Sequence, residues 1–287
     1  MLGQDLFIGV VSHPRTAYKV NQGPEGLAAK LATELRRQGT PCSFEVNTDN
    51  CFEQSGIRSN GAVFRRGIAE ELRVENVWKT FMGTPRSLKG SVKHMARWIR
   101  VQTYRFRKPD LSEVKRLVNI EMSHIALMRK GLDSGAQWVL ILEDDAGCNQ
   151  IDELARGIHE ILGSGLPMSY VNLSDSFSLS ELEVEHLLTP SSRFSWPGSH
   201  DRIVLESKKP ATNTVCAILY RSSFLGGLVD SLTAIPTEPL LPIDWKLNLA
   251  LVAMWERGEV GPGDCWFIDP GPIVQLSMHD LSSQDHQ

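Results

Sequence analysis

The stretch Trp138-Val-Leu-Ile-Leu-Glu-Asp-Asp145 decides both the fold class and the expected site of this 287-residue chain. Its first five residues, Trp138 to Leu142, are all apolar, which is typical of a strand that is covered on both faces in a parallel sheet. The run leads directly into the carboxylates of Glu143, Asp144 and Asp145. Because open α/β sheets bind ligands beyond the carboxyl ends of their strands, we expect these three acids to line a ligand site.

Three adjacent carboxylates repel one another unless a cation or another positive group lies beside them. Oxygen ligands select hard divalent ions, so the stretch predicts Mg²⁺ or Mn²⁺. Such an ion also binds a diphosphate, and the hypothesis is therefore a metal-assisted site for a nucleotide sugar. The alternative is that the acids face solvent, or that Asp145 caps a helix that begins near Gln150.

The composition is that of a soluble globular protein, with 41% hydrophobic and 22% charged residues. The net charge of -4 argues neither for nor against any class of partner. The five cysteines are dispersed and lack zinc-site spacing, which favours a reducing compartment. With no basic leader and no run of about 20 apolar residues, the sequence predicts a cytoplasmic protein without a membrane span.

Residues 1–57 have the pattern of the nucleotide-binding half of an α/β fold. Leu6–Val11 and Ser43–Val46 predict strands, and the segment between them predicts a helix that ends at Gly39. Strand, helix and strand in this order open a nucleotide-binding sheet. Three polar residues follow the two strands: Arg15, Asn47 and Asp49. We interpret them as contacts of a nucleoside, and the alternative for each is an ordinary turn residue.

Residues 58–116 form a basic segment, with 15 of the chain's 30 Lys and Arg residues and a net charge of +10. Its densest part, residues 89–108, interleaves basic side chains with Trp98, Tyr104 and Phe106. The pattern predicts a basic helical insert, peripheral to the inner face of a membrane or in contact with an anionic or lipid-linked acceptor. The alternative is a solvated helix face that packs on its own domain. Nucleic acid is not an expected partner.

Residues 110–132 predict a helix that carries Glu121 and His124 on one face, about one turn apart. We interpret these two side chains as holding a substrate group beneath the acidic strand end. The alternative is a structural hydrogen bond between them.

The remainder of the chain alternates between strands and helices. Further extended segments are expected at residues 169–173, 202–205, 214–220, 265–268 and 272–277. Further helices are expected at residues 151–162 and 222–232. A last helix is expected to begin within residues 241–245 and to end at about residue 257. Residues 177–200 lack periodicity and predict an ordered loop over the site, with Trp196 near the acceptor. Residues 282–287 predict a loose tail.

The order of these motifs resembles the family 25 glycosyltransferases, the lipooligosaccharide and collagen galactosyltransferase group. The resemblance covers residues 113–277 and rests on four stretches: Ser123-His124, Leu140-Ile-Leu-Glu-Asp-Asp145, Thr212 to Tyr220, and Pro242-Ile243-Asp244-Trp245. Asn119 to Met122 depart from the Gly-Glu-Ile-Gly-Cys stretch that the family carries before its Ser-His pair. The resemblance implies a GT-A-like, Rossmann-type fold with a mostly parallel sheet and flanking helices, as a single domain over residues 1–281.

The resemblance also implies an activity. The expected enzyme is a metal-dependent, inverting glycosyltransferase with a UDP-sugar or another nucleotide-diphosphate sugar as donor. The acceptor would be a hydroxyl of a glycan, a lipid-linked compound or a small molecule. Glu143 and Asp145 would hold Mn²⁺ or Mg²⁺, His279 would complete the metal shell, and Asp144 would face ribose or sugar hydroxyls.

Inversion at the anomeric carbon requires one general base on the acceptor hydroxyl. Asp244 is the first candidate, because it begins a helix, where the dipole and the free N–H groups keep a carboxylate ionised. The alternative is that Asp244 only caps that helix. Asp175, which follows the strand at 169–173, is the reserve candidate.

Two other classes of protein stay open. One is a catalytically inactive module that binds a nucleotide sugar. The other is a nucleotidyltransferase on a similar sheet, which would need several basic residues near the first loop, where we find only Arg15. The intact Glu-Asp-Asp and Ser-His motifs favour the glycosyltransferase.

Overall fold

A computed structural model describes residues 5–12, 26–47, 61–83, 111–175, 183–199, 201–212, 214–237 and 241–276 of the chain. Several expectations lie outside these residues, namely those for Arg15, Asp49, His279, the basic stretch 89–108 and the tail 282–287. None of the helices in the described part of the chain has a stretch that is both long and apolar enough to cross a bilayer.

The described residues form ten strands and six α-helices. The strands are β1 (Leu6–Val11), β2 (Cys42–Asn47), β3 (Trp138–Glu143), β4 (Ala146–Gly147), β5 (Tyr170–Asn172), β6 (Leu188–Pro190), β7 (Ile203–Ser207), β8 (Ala217–Arg221), β9 (Cys265–Asp269) and β10 (Val274–Gln275). The helices are α1 (Leu27–Arg37), α2 (Gly61–Met82), α3 (Leu111–Asp133), α4 (Ile151–Gly163), α5 (Ser222–Ala234) and α6 (Ile243–Glu256). A 3-10 turn, Glu185–Leu187, precedes β6.

Eight strands build one mixed sheet in the order β2-β1-β3-β8-β5-β9-β7-β6. β1 pairs in parallel with β2 and β3, and β5 pairs in parallel with β9, whereas the other neighbours are antiparallel. The prediction of an α/β fold is confirmed. The sheet is less parallel than predicted because β7 and β8 run against the other six strands, and an apolar run in a sequence does not reveal a strand's direction.

Helices cover both faces of the sheet, which explains why β3 is apolar throughout. Leu140 and Leu142 pack with α1 and α4 on one face, while Val139 and Ile141 pack with α3, α5 and α6 on the other. Full burial of one such side chain contributes about 1.5–3 kcal/mol. The hydrophobic effect therefore holds β3 at the centre of three layers, with its acidic end at the rim.

The predicted basic insert begins with a helix, α2. Its last turns pack against α6, where the rings of Trp78 and Trp245 meet edge to face with centroids 6.1 Å apart. Val252 and Met82 belong to the same buried cluster. This part of the insert is therefore anchored to the domain by apolar contacts.

The region predicted as a loop over the site contains the short edge strand β6, so the prediction of a loop is wrong for Leu188–Pro190. Trp196 is buried against α4, and a Cβ atom at Gly157 would lie 2.3 Å from its ring. Its indole N–H donates a hydrogen bond of 2.8 Å to Glu153. Trp196 is therefore a packing residue of the core, and its place near an acceptor is not supported by the structure.

Candidate metal centre

The carboxyl ends of β1, β2 and β3 meet at one rim of the sheet. Val11 is paired with Asn47 on one side and with Glu143 on the other. The backbone N–H of Ser12 donates to the carbonyl of Asn47 (3.1 Å), and its hydroxyl donates to Asp144 Oδ2 (3.3 Å). The predicted nucleoside contact Asn47 and the acidic stretch therefore lie at the same rim with the end of β1 between them, and Asp144 is directed toward β1.

Two short strands hold the acidic turn in place. β4 pairs with β10 directly after the turn, and the N–H of Leu276 donates to the carbonyl of Asp145 (2.9 Å). The side-chain amide of Gln275 donates to Glu143 Oε2 (3.2 Å). The carboxylate of Glu143 is therefore held by a side-chain hydrogen bond, and Asp145 is held by the backbone pairing around it.

Glu143 and Asp145 converge with the thiol of Cys216. One ligand atom from each of these three residues lies within 4.8 Å of the other two. Two donor atoms bound to one ion at about 2.0–2.3 Å are at most about 4.6 Å apart, so small side-chain rotations would bring all three onto an ion. Asp145 is 7% exposed and Cys216 is fully buried, which makes the cluster part of the protein interior rather than a solvated acidic surface.

His124 on α3 lies beneath the acidic strand end, as predicted, with Nε2 3.6 Å from Glu143 Oε1. This separation exceeds a hydrogen bond. The imidazole is only 1% exposed, and neither ring nitrogen has a hydrogen-bond partner among the described residues. Because a buried polar group without a partner is costly, the orphaned imidazole fits a ligand group or bound water beside Glu143.

Glu121 does not share this position with His124. Its carboxylate is paired with the fully buried Lys246 of α6 at 2.6 Å and accepts a hydrogen bond of 3.0 Å from Thr237. Burial lowers the pKa of Lys246, and the charge of Glu121 opposes this shift. Glu121 therefore forms a buried ion pair with α6, a contact that its helical spacing from His124 does not reveal, and its predicted contact with a substrate group stays a prediction.

The two base candidates lie on different elements. Asp244 is half-buried in the first turn of α6, two residues before Lys246, so the Glu121–Lys246 pair ties its helix end to the helix that carries His124. Asp175 is exposed just beyond β5, at the same rim as Glu143, and its N–H donates to the carbonyl of Ile273 (2.7 Å). Both assignments stay predictions.

Cys216 is the cluster residue that the sequence did not reveal. Its spacing from Glu143 matches no motif, and in the sequence it is one of five dispersed cysteines. The antiparallel pairing of β8 with β3 creates the contact, since the N–H of Glu143 donates to the carbonyl of Cys216 (2.9 Å). A pattern that leaves strand direction open cannot predict such a neighbour.

No protein-family model matches the chain, and a comparison with curated proteins returns no significant match. The functional argument therefore depends on the residues and the geometry described above.

Proposed function

We propose that this protein is a metal-dependent glycosyltransferase that transfers a sugar from a nucleotide-diphosphate donor, a UDP-sugar, to a hydroxyl acceptor. The observation that carries the proposal is the pair of the half-buried Glu143 and the buried Asp145 at the rim of the sheet, with the orphaned imidazole of His124 beside Glu143. Paired carboxylates at this place suit a divalent cation, and the carboxyl rim is where α/β sheets bind nucleotides.

In this proposal, each residue of the acidic stretch has its own role. Glu143 and Asp145 would hold Mn²⁺ or Mg²⁺, while Asp144, held by Ser12, would meet ribose or sugar hydroxyls near Asn47. When bound, the ion would supply Lewis-acid stabilisation of the departing diphosphate, worth about 4 kcal/mol for one charge pair about 4 Å apart at an effective dielectric of about 20.

Inversion needs a carboxylate that takes the proton of the acceptor hydroxyl as the new bond forms. Asp244 is proposed for this role because it lies in the first turn of α6, where the helix dipole favours the ionised form. Asp175, at the rim beyond β5, is the alternative base. No described residue identifies the acceptor. A screen for the acceptor therefore includes glycans, lipid-linked compounds and small molecules.

The proposal is tested by thermal unfolding of the protein with a panel of nucleotide sugars, in Mn²⁺ or in chelator. A donor present at 100 times its Kd should stabilise the fold by about 2.7 kcal/mol, which raises Tm by several degrees. We expect this shift to require metal, to vanish in Asp145→Asn, and to persist in Asp230→Asn, a matched control on the exposed face of α5. The absence of any metal-dependent shift in the wild type would sink the proposal.

Turnover separates the enzyme from an inactive binding module. With the donor that stabilises the wild type, release of the nucleoside diphosphate should accelerate in the presence of an acceptor. Asp244→Asn should abolish that release and still bind the donor. Metal-dependent binding with no release across the acceptor screen would support the binding module instead.

A further inference from the structure

We infer that Cys216 is a third protein ligand of the metal ion, and that the site therefore prefers divalent transition-metal ions of the Mn²⁺-to-Zn²⁺ series over Mg²⁺. The inference rests on the proposed function, since it concerns the ion of that site. With this ligand, the expected ion is no longer any hard divalent cation but a divalent cation that binds a sulfur ligand.

The position of the thiol supports the inference. The Sγ atom of Cys216 lies within 4.8 Å of a carboxylate oxygen of both Glu143 and Asp145. Small side-chain rotations would close this separation to the at most about 4.6 Å between donor atoms that share an ion, whereas a cysteine that only filled the core would need no such neighbours. The orphaned imidazole of His124, 3.6 Å from Glu143, is an independent sign that a polar ligand binds beside this carboxylate.

The backbone around the thiol is held by several hydrogen bonds. The N–H of Cys216 donates to Thr214 Oγ1 (3.2 Å), and its carbonyl accepts from the N–H of Glu143 (2.9 Å). On the next residue, the N–H of Ala217 donates to Ser174 Oγ (2.8 Å). A ligand that is fixed in this way binds an ion without losing further backbone freedom.

The chemistry of the donor set then decides the ion. Two carboxylates alone hold Mg²⁺ and Mn²⁺ alike, whereas a thiolate is a soft ligand that binds transition metals and not Mg²⁺. Binding takes the thiol proton to solvent, so the ion and the thiolate form together. His124 does not belong to the group of three donors and would act on the carboxylate of Glu143 as an outer partner.

Co²⁺ is the probe, because a thiolate bound to Co²⁺ gives a charge-transfer band in the near ultraviolet that carboxylates do not give. We expect the wild type to show this band on titration with Co²⁺ and to bind Co²⁺ at least about tenfold more tightly than Mg²⁺. Cys216→Ser should lose the band and bind Co²⁺ at least about tenfold more weakly than the wild type, whereas its affinity for Mg²⁺ should equal that of the wild type.

Two further variants make the assignment specific. Cys42→Ser is the matched control, a buried strand cysteine whose thiol donates to the carbonyl of Ala32, and it should keep the band. Glu143→Gln should lose it, which ties the thiolate to the carboxylate site even if Cys216→Ser does not fold. A wild type that binds Co²⁺ without the band, or a band that survives Glu143→Gln, would overturn the inference.

The Co²⁺ experiment and the test of the proposed function can fail independently of each other. Metal-dependent stabilisation by a nucleotide sugar, without a thiolate band, would retain the glycosyltransferase and remove Cys216 from the metal site. A Cys216-dependent band with no response to any nucleotide sugar would retain the ligand set and remove the glycosyltransferase.

Discussion

At the scale of single residues, His124 occupies a position that is costly for the protein without a ligand. Its ring is buried and its two nitrogens lack hydrogen-bond partners in the described part of the chain. Such a group costs about 1–3 kcal/mol unless something binds to it. Under the proposed function, the imidazole would connect the stability of the metal-free protein to the occupancy of the metal site.

We expect His124→Phe to have opposite effects on stability and on metal binding. Phe keeps most of the ring and removes the unpartnered nitrogens, so the free energy of unfolding without metal should stay the same or rise. Mn²⁺ affinity, measured by calorimetric titration, should fall about 10–100-fold, the usual loss for an outer-shell partner. His159→Phe is the control, because it removes only a 2.7 Å hydrogen bond with Thr40. Unchanged Mn²⁺ affinity in His124→Phe would show that the imidazole has no role in metal binding.

Two glycines of α4 provide a second prediction at this scale. A Cβ atom at Gly157 would lie 2.3 Å from the ring of Trp196, whereas one at Gly163 would meet nothing within 4 Å. Gly157→Ala should therefore lower the free energy of unfolding by about 1–3 kcal/mol through overpacking. Gly163→Ala should leave it unchanged or raise it by up to about 1 kcal/mol. Equal effects of both variants in urea unfolding would contradict the tight packing of Trp196.

At the scale of elements, the Glu121–Lys246 pair joins α3 to α6. Lys246 also donates to the carbonyl of Pro236 (3.0 Å), so the pair fixes the chain that leads into α6. Both side chains are almost fully buried. The pair therefore sets the position of the helix end that carries Asp244 relative to the helix that carries His124.

Removing one partner of this pair should cost far more than removing both. Lys246→Met leaves a buried carboxylate without its cation and should destabilise the fold by about 3–5 kcal/mol in urea unfolding. Glu121→Met with Lys246→Met should recover at least half of that loss, because a buried ion pair and two apolar side chains are often of similar stability. Additive losses in the double variant would show that the pair is not coupled.

The pKa of Lys246 adds a pH dependence with a definite sign. Because burial lowers this pKa below the ordinary 10.5, the unfolded chain binds more protons than the folded chain between the two values. The contribution of Lys246 to the stability of the fold therefore rises with pH between the lowered pKa and 10.5.

The elements themselves were largely predictable, since their patterns are periodic and their ends carry recognisable residues. The helices α4 and α5 begin and end within about two residues of the predicted bounds, and α1 ends two residues before the predicted Gly39, which has a positive φ of 89°. β6 was missed because it is a three-residue edge strand with one face exposed. Apolar periodicity is too weak a signal over so short a length.

At the scale of the whole molecule, the acidic rim was predictable and the composition of the cluster was not. Glu143 and Asp145 follow from their position after a buried strand, and His124 follows from the period of α3. Cys216 required the direction and register of β8, and Lys246 required the packing of α6 on α3. These depend on contacts between distant segments, which no local pattern encodes.

The short strand β6 has a consequence for the solubility of the protein. In the described part of the chain it is the outermost strand on its side of the sheet, and an exposed strand edge is a template for pairing with another molecule. β6 has only three residues, and the last of them, Pro190, has no N–H to donate. A second copy that approached this edge would find at most two amide hydrogens, so edge-to-edge growth into fibrils is disfavoured there.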